Sequence, residues 1–143
     1  MDKPVFFIID DRIGDAEICN IVAEKMAYDL PGVEVILMHP NKVEETLVKT
    51  SGRIIGALVD CFTGEEFTGL ELAKRLLIPG VLAPGSTEKE IKLFTSVGKD
   101  RRNRAEREAG TLGIELIDKT NSVRLFALAN EVQNKIKNTT SQA

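Results

Sequence analysis

IIGALV, the stretch from Ile54 to Val59, is an unbroken run of six apolar residues that stops at Asp60. Small and β-branched residues without polar alternation are typical of a strand that helices cover on both faces of a parallel sheet. Three other apolar runs also stop at polar side chains: VFFII (5–9) at Asp10 and Asp11, IKLF (91–94) at Thr95, and IELI (114–117) at Asp118 and Lys119. Four predicted strands thus deliver acids, a hydroxyl and an amine to one edge of a sheet.

Helical periodicity fills most of the intervals between these strands. Asn41 with Glu44, and Thr68 with Glu71, have the spacing of capping boxes, which mark helix starts. In chain order, the remaining sequence predicts a helix at 15–29, a strand at 33–38, helices beginning at Asn41 and Thr68, a polar helix at 100–110 and a final helix at 122–137. This alternation predicts an α/β fold with a doubly wound, five-stranded parallel sheet.

One segment interrupts the alternation. Residues 78–90 contain Pro79, Gly80, Pro84 and Gly85 and are longer than a usual helix-to-strand loop, so they are interpreted as a local insertion. The glycines have the spacing of a phosphate-binding P-loop, but Ser86 stands at the lysine position and no convincing strand precedes the stretch. A nucleotide site is therefore not predicted there.

Composition favours one domain. The 143 residues are 43% hydrophobic, and we assign residues 1–137 to the domain and 138–143 to a polar C-terminal tail. The net charge of −3 argues against a general nucleic-acid binder. Cys19, Cys61 and His39 make neither a disulfide framework nor a zinc-ligand cluster. Without a stretch that resembles a signal peptide or a membrane span, we expect a cytoplasmic protein with no membrane partner.

Ligands of doubly wound sheets bind beyond the carboxyl ends of the strands, where the predicted polar residues converge. Asp10, Asp11 and Asp60 are expected close together, and their charges repel unless a cation binds or a proton is taken up. Carboxylates suit Mg²⁺, whose coordination is commonly completed by a phosphate oxygen. Lys119 offers a positive charge and Thr95 a hydroxyl donor, both useful for a phosphoryl group. The set predicts phosphoryl chemistry on Asp60.

These residues resemble the set that defines response-regulator receiver domains: Asp10-Asp11 after the first strand, Asp60 after the third, Thr95 after the fourth and Lys119 after the fifth. The resemblance extends to about residue 137. It implies a flavodoxin-like topology, with strand order 2-1-3-4-5, and a stand-alone regulator of two-component or phosphorelay signalling rather than a conventional enzyme. It also implies that Asp60 accepts a phosphoryl group from a histidine kinase or histidine phosphotransfer protein in a self-catalysed, Mg²⁺-dependent reaction.

The resemblance assigns further roles. The implied metal ligands are Asp11 directly, Asp10 largely through water, Asp60, and the backbone carbonyl of Phe62. Thr95 and Lys119 would contact the phosphoryl oxygens. Output would be contact with a downstream target protein or onward phosphotransfer, with homodimerisation left open and no nucleic-acid partner.

Several positions depart from the family pattern. Leu116 replaces the aromatic residue that often changes rotamer on activation, and Thr120 replaces the proline that usually follows the lysine. Since a non-proline cis bond costs about 2.5–4 kcal/mol, we predict a trans bond between Lys119 and Thr120. The loop CFTGEEFTG after the third strand is one residue longer than usual and puts Glu65 and Glu66 near the site.

Phe62 gives a kinetic hypothesis. In the family, the side chain two residues after the phosphoacceptor lies over the entrance to the site, where a bulky apolar group would obstruct the water that hydrolyses the aspartyl phosphate. A long-lived phosphorylated state is then expected. Alternatively, Phe62 turns into the loop and packs against Phe67, and water access is unchanged.

Two other classes of protein stay open. A degenerate receiver would act only as an interaction or dimerisation module, and its mark would be the loss of an acid or of the lysine. A metal-dependent phosphohydrolase generally has a second acid two residues after its nucleophile, where this chain has Phe62 after Asp60 and Arg12 after Asp10. In the 100–110 helix, the i,i+4 spacing of arginine and glutamate favours a solvated face over a docking surface.

Overall fold

A five-stranded parallel sheet forms the centre of the chain, in a computed structural model that describes residues 2–63 and 66–142, with side chains through residue 138. The strands are β1 (Val5–Ile9), β2 (Glu34–Met38), β3 (Ile54–Asp60), β4 (Ile91–Thr95) and β5 (Glu115–Asp118). The helices are α1 (Ile18–Asp29), α2 (Val43–Thr50), α3 (Thr68–Leu76), α4 (Lys99–Leu112), α5 (Ser122–Phe126) and α6 (Leu128–Gln142). The strand order is β2-β1-β3-β4-β5, which confirms the predicted doubly wound, flavodoxin-like fold.

Two hydrophobic cores lie on the two faces of the sheet. Successive side chains of a strand point to opposite faces, so Phe7 and Ile9 of β1 enter one core and Phe6 and Ile8 enter the other. Helices α2, α3 and α4 cover the first face, and α1, α5 and α6 cover the second. This burial on both sides explains why β3 carries no polar alternation.

The predicted helix starts differ from the observed ones. A 3-10 turn at Pro40–Lys42 precedes α2, and the His39 imidazole caps it by accepting a hydrogen bond from the Asn41 amide. The Asn41–Glu44 capping box is therefore wrong. Helix α3 begins at Thr68 without a side-chain cap, so the second predicted box is wrong as well.

A capping box does exist where none was predicted. Thr87 and Glu90 cap the 3-10 turn Glu88–Glu90 reciprocally, immediately before β4. Sequence spacing alone identifies many Thr-x-x-Glu pairs, and only the backbone around each one decides which becomes a cap.

Residues 78–90 pack against the beginning of β3. Strand β4 pairs with β3 only from Ala57 onward, and the earlier residues of β3 bond to the insertion instead. The Ala83 amide donates to the Ile54 carbonyl at 2.8 Å, and the Ser86 hydroxyl donates to the Ile55 carbonyl at 3.1 Å. The insertion thereby satisfies backbone acceptors of the central strand.

The C-terminal helix is divided at Ala127 into α5 and α6. Helix α6 continues to Gln142, through most of the stretch predicted as a polar tail, while Ala143 lies outside the described residues. No helix in the described part of the chain is both long and apolar enough to cross a membrane.

Candidate functional site

The predicted site residues lie at the carboxyl ends of four strands. Asp60 and Thr95 are the last residues of β3 and β4, while Asp10 and Lys119 directly follow β1 and β5. Since all these strands are parallel, their ends meet at one edge of the sheet. Asp10 is 1% exposed and Asp60 is 8% exposed, so both carboxyl groups are withdrawn from bulk water.

Asp10, Asp11 and Asp60 form a compact acidic cluster. Each offers one carboxylate oxygen, and these three oxygens lie within 4.8 Å of one another. Ligand oxygens around an octahedral Mg²⁺, at about 2.1 Å from the ion, are separated by at most about 4.2 Å. A small inward movement of the carboxylates would thus let them share one such ion, and the all-oxygen donor set matches the preference of a hard divalent cation.

Burial and charge repulsion act together on Asp60. Burial, then the negative charge of Asp10, raise the pKa of Asp60 to about 8, although the ammonium group of Lys119 acts in the opposite direction. A hydrogen bond with Asp11 and the charge of Asp11 contribute smaller parts of the same rise in the pKa of Asp60. Since a divalent cation would offset this repulsion, the electrostatics of the cluster fit a metal ion.

Lys119 links the acidic cluster to β5. Its Nζ donates to Asp10 Oδ2 at 2.9 Å, lies 3.5 Å from Asp60 Oδ1, and sits 4.7 Å from the centre of the Phe94 ring. Burial lowers the pKa of Lys119, but the hydrogen bond to Asp10 and the charge of Asp60 outweigh it and raise the pKa overall. The ammonium group is thus charged and close to both carboxylates.

The backbone after Lys119 was predicted to be trans. None of the described peptide bonds is cis, which confirms the prediction for the bond to Thr120. Lys119 reaches the site in this geometry because its amide donates to the Thr95 carbonyl at 2.8 Å, which fixes the end of β5 beside β4.

The Thr95 hydroxyl lies at the same edge, on a residue that is 1% exposed. Its Oγ1 accepts a hydrogen bond from the Val97 amide at 3.2 Å. A hydroxyl has one hydrogen to donate, so a Thr95 that accepts from Val97 can still donate to an oxygen of a bound group.

Gly69 is a site-supporting residue that the sequence analysis missed. A Cβ atom at this position would lie 2.4 Å from the carbonyl oxygen of Asp60 and 2.7 Å from Cα of Cys61. The Gly69 amide also donates to the Cys61 carbonyl at 2.9 Å. The start of α3 can therefore approach the backbone of Asp60 only because this residue has no side chain. Its place near the start of a helix was the only signal in the sequence.

Phe62 packs inside the loop that follows Asp60. Its ring centroid lies 4.7 Å from that of Phe67, and the residue is 6% exposed. This is the alternative arrangement considered for Phe62, so the hypothesis that it obstructs the site loses its geometric support. Of the two glutamates in the loop, Glu66 is exposed, and Glu65 lies outside the described residues.

Two arginines of α4 lie over this aromatic pair. The guanidinium carbon of Arg101 is 5.4 Å from the centre of the Phe62 ring, and that of Arg104 is 5.3 Å from the centre of the Phe67 ring. Between them, Arg102 forms an ion pair with Asp118 at the end of β5. Arg104 also pairs with Glu108 at 3.6 Å, as the i,i+4 spacing indicates, and its side chain is 55% exposed. The helix thus has the predicted solvated face, although Arg101, Arg102 and Arg104 also contact the domain.

Comparison with solved structures supports this fold. No protein-family model and no curated protein sequence matches the chain. A chain of the structure of the P1 domain of CheA3 in complex with CheY6 from R. sphaeroides is similar, with 17% identity, a TM-score of 0.54 and 99% of both chains covered. The signal receiver domain of a modulated diguanylate cyclase from Desulfovibrio desulfuricans G20 is similar at 20% identity and a TM-score of 0.51, over 94% of this chain and 99% of that chain.

A third similar structure is the Salmonella typhimurium response regulator RcsB, at 16% identity and a TM-score of 0.52. The match covers 99% of this chain but 62% of the RcsB chain. The chain thus has the fold of response-regulator receiver domains, as the resemblance implied. At these identities the similarity shows the fold alone, because one fold can carry many different chemistries.

Proposed function

We propose that this chain is a response regulator whose receiver domain accepts a phosphoryl group on Asp60. The observation that carries the proposal is the meeting of Asp10, Asp11 and Asp60 within 4.8 Å, with Lys119 Nζ at 2.9 Å from Asp10 and 3.5 Å from Asp60. Three acids and one cation at the carboxyl edge of a parallel sheet suit transfer of a phosphoryl group to a carboxylate.

In the proposed reaction, a carboxylate oxygen of Asp60 attacks the phosphorus atom of a phosphohistidine. The new P–O bond forms as the P–N bond breaks, and the imidazole of the donor leaves with the bonding electron pair. Lys119 would place its positive charge beside the transferred oxygens, and the Thr95 hydroxyl would donate to one of them. Hydrolysis by water later returns free Asp60 and inorganic phosphate, and the residues of this site are proposed to catalyse both steps.

A Mg²⁺ ion would neutralise negative charge on the transferring group when bound. Asp11 and Asp60 are the proposed direct ligands, together with the Phe62 carbonyl, and Asp10 is proposed to act largely through water. Buried Asp10 also accepts hydrogen bonds from the Arg12 amide at 2.9 Å and from Lys119. These two donors fix the orientation of its carboxylate within the cluster.

The proposed phosphodonor is a histidine kinase or a histidine phosphotransfer protein. The structure that pairs CheY6 with the P1 domain of CheA3 supports a partner from the kinase side. We propose that output is contact with a downstream protein or onward phosphotransfer, in the cytoplasm and without a nucleic-acid partner, since the net charge is −3. Homodimerisation stays open.

Mass spectrometry after incubation with acetyl phosphate and Mg²⁺ tests the proposal. One added phosphoryl group is expected, and chelation of Mg²⁺ or the substitution Asp60→Asn should abolish it. Asp15→Asn, at an exposed position, is the matched control and should be labelled like the parent. Lys119→Ala should still be labelled but should show a weaker structural response. Undiminished labelling of Asp60→Asn would contradict the proposal.

A further inference from the structure

Helix α4 is bound to the domain in an unusual way. Only Ala105 and Ala109 of this helix are buried, and two alanines bury little apolar surface. Leu112, at the end of the helix, packs partly buried against the core. Charged side chains add further contacts, with Arg101 and Arg104 on the aromatic pair and Arg102 on Asp118. Interactions of arginine with rings and carboxylates therefore carry much of the attachment.

The geometry of the aromatic contact is specific. Arg101 and Arg104 are three residues apart and so lie on the same side of α4. The ring centroids of Phe62 and Phe67 are 4.7 Å apart, and each guanidinium lies within 5.4 Å of its ring centre, inside the range of cation–π attraction. We call these four side chains the arginine–aromatic clasp.

The clasp is connected to the acidic cluster through the loop after β3. Phe62 is two residues beyond Asp60, and its backbone carbonyl is the metal ligand proposed above. The loop is held at both ends, since the Cys61 amide donates to the Phe94 carbonyl at 3.0 Å and the Thr63 and Thr68 hydroxyls share a hydrogen bond of 2.5 Å. A change in the position of the Phe62 backbone must therefore also move the ring under Arg101.

We propose that the arginine–aromatic clasp positions the Phe62 loop for the cation, so that binding at the acidic cluster and attachment of α4 stabilise each other. The inference rests on the proposed function. The clasp and the acidic cluster are formed in the same structure, so a protein with the clasp formed has Phe62 already in place for the ion. Coupling between two equilibria is reciprocal, so an ion that favours the ordered loop also favours the attached helix.

The direction in which Arg101→Ala changes Mg²⁺ affinity distinguishes this coupling from a simple effect of charge. Arg101→Ala removes a positive charge from the domain that holds the proposed cation site, which by Coulomb's law should leave Mg²⁺ binding unchanged or strengthen it. Loss of the clasp should weaken it instead. The matched control is Arg107→Ala, which removes the same charge from an exposed position of α4 outside the clasp. We expect Arg101→Ala to weaken Mg²⁺ binding by about two- to fivefold, the range of one exposed cation–π contact, and Arg107→Ala to leave it unchanged or slightly stronger.

A double-mutant cycle tests whether the ring is the partner. Phe62→Leu keeps the backbone carbonyl and an apolar side chain but removes the ring. If Arg101 acts through the ring, the double variant should bind Mg²⁺ no more weakly than the weaker single variant. Arg101→Lys, which keeps a cation for the ring, should recover part of the parent affinity.

Hydrogen exchange of the α4 amides gives a readout without metal. In metal-free protein, Arg101→Ala should speed exchange in α4 by about two- to fivefold relative to Arg107→Ala. Addition of Mg²⁺ should slow this exchange in the parent, and less so in Arg101→Ala. If Arg101→Ala and Arg107→Ala have the same Mg²⁺ affinity and the same rate of α4 exchange, the proposed role of the clasp is wrong. The proposed function would still stand. A parent that neither binds Mg²⁺ nor is phosphorylated overturns both.

Discussion

A Cβ atom on Gly69 would lie 2.4 Å from the backbone carbonyl oxygen of Asp60, well inside van der Waals contact. The two residues belong to different elements, and their approach brings the first turn of α3 against the end of β3. The position of the proposed phosphoacceptor thus depends on a residue that takes no part in its chemistry.

Gly69→Ala should destabilise the protein by about 1–3 kcal/mol, because the extra methyl group must push apart two backbone segments. Urea unfolding measures the effect. Gly110→Ala is the matched control, since a Cβ atom there meets nothing within 4 Å and an alanine in a helix should stabilise by roughly 0.5–1 kcal/mol. Equal stability of Gly69→Ala and the parent would show that the loop relaxes without cost.

Lys119→Met should cost about 3 kcal/mol in the absence of Mg²⁺, because it leaves the buried carboxylate of Asp10 without its cation. The double variant Asp10→Asn/Lys119→Met should recover part of this loss, since the charge of Asp10 is gone, although Asp60 also stays without Lys119. Lys74→Met, which removes an exposed lysine paired with Glu71 at 3.6 Å, should change the free energy of unfolding by less than about 0.5 kcal/mol. A loss in the double variant as large as in Lys119→Met would argue against the charge explanation.

Glu115 should make stability depend on pH. Arg124 donates two hydrogen bonds to its carboxylate, at 2.7 and 2.6 Å, and these lower the pKa of Glu115 below its ordinary value of 4.5 although partial burial opposes them. Because the folded pKa is depressed, the stabilisation is complete above about pH 4.5 and is lost as pH falls through the folded pKa.

The expected contribution of the Glu115–Arg124 pair to the free energy of unfolding is below about 1 kcal/mol, since the Glu115 side chain is 38% exposed and solvent screens the pair. Thermal unfolding between pH 3 and pH 7 should show that the stability of Glu115→Gln falls less steeply with decreasing pH than that of the parent. Glu24→Gln on α1 is the control for removal of one carboxylate. Parallel profiles for Glu115→Gln and the parent would rule out this contribution.

Phe62→Leu should leave the lifetime of the aspartyl phosphate unchanged at saturating Mg²⁺. The ring packs against Phe67 rather than standing over the site, so its removal opens no new path for water. Decay of labelled protein after removal of acetyl phosphate gives the rate. Clearly faster decay in Phe62→Leu would restore the obstruction hypothesis.

Much of the fold could be predicted because buried parallel strands have a simple sequence pattern, an unbroken run of apolar residues. The apolar runs ending at Asp60 and at Asp10 identified β3 and β1, since helices on both faces permit no polar alternation. Lys119 and Thr95 were predicted at the site for the same reason, because parallel strands deliver their last residues to one edge. Sequence position was enough for these residues because the sheet fixes where its strands end.

Other features depend on contacts between distant segments. Nothing in the sequence places the backbone of Asp60 beneath Gly69, or the ring of Phe62 beneath Arg101. Capping boxes were predicted at Asn41 and Thr68, but the structure has one at Thr87 instead. At Asn41, the imidazole of His39 caps a turn that begins at Pro40, ahead of the helix. Local spacing limits the choices, and tertiary packing selects among them.

The hydrogen bonds between residues 78–90 and the first residues of β3 bear on how this chain can be engineered. A long segment rich in proline and glycine is normally the first choice for inserting a tag or a fluorescent domain. Here such an insertion would free the carbonyls of Ile54 and Ile55, and a strand with unpaired carbonyls recruits other chains. The turn at Ser51-Gly52 is the safer place for a split or a graft, provided that the amide of Gly52 keeps its bond to the Val81 carbonyl at 2.8 Å.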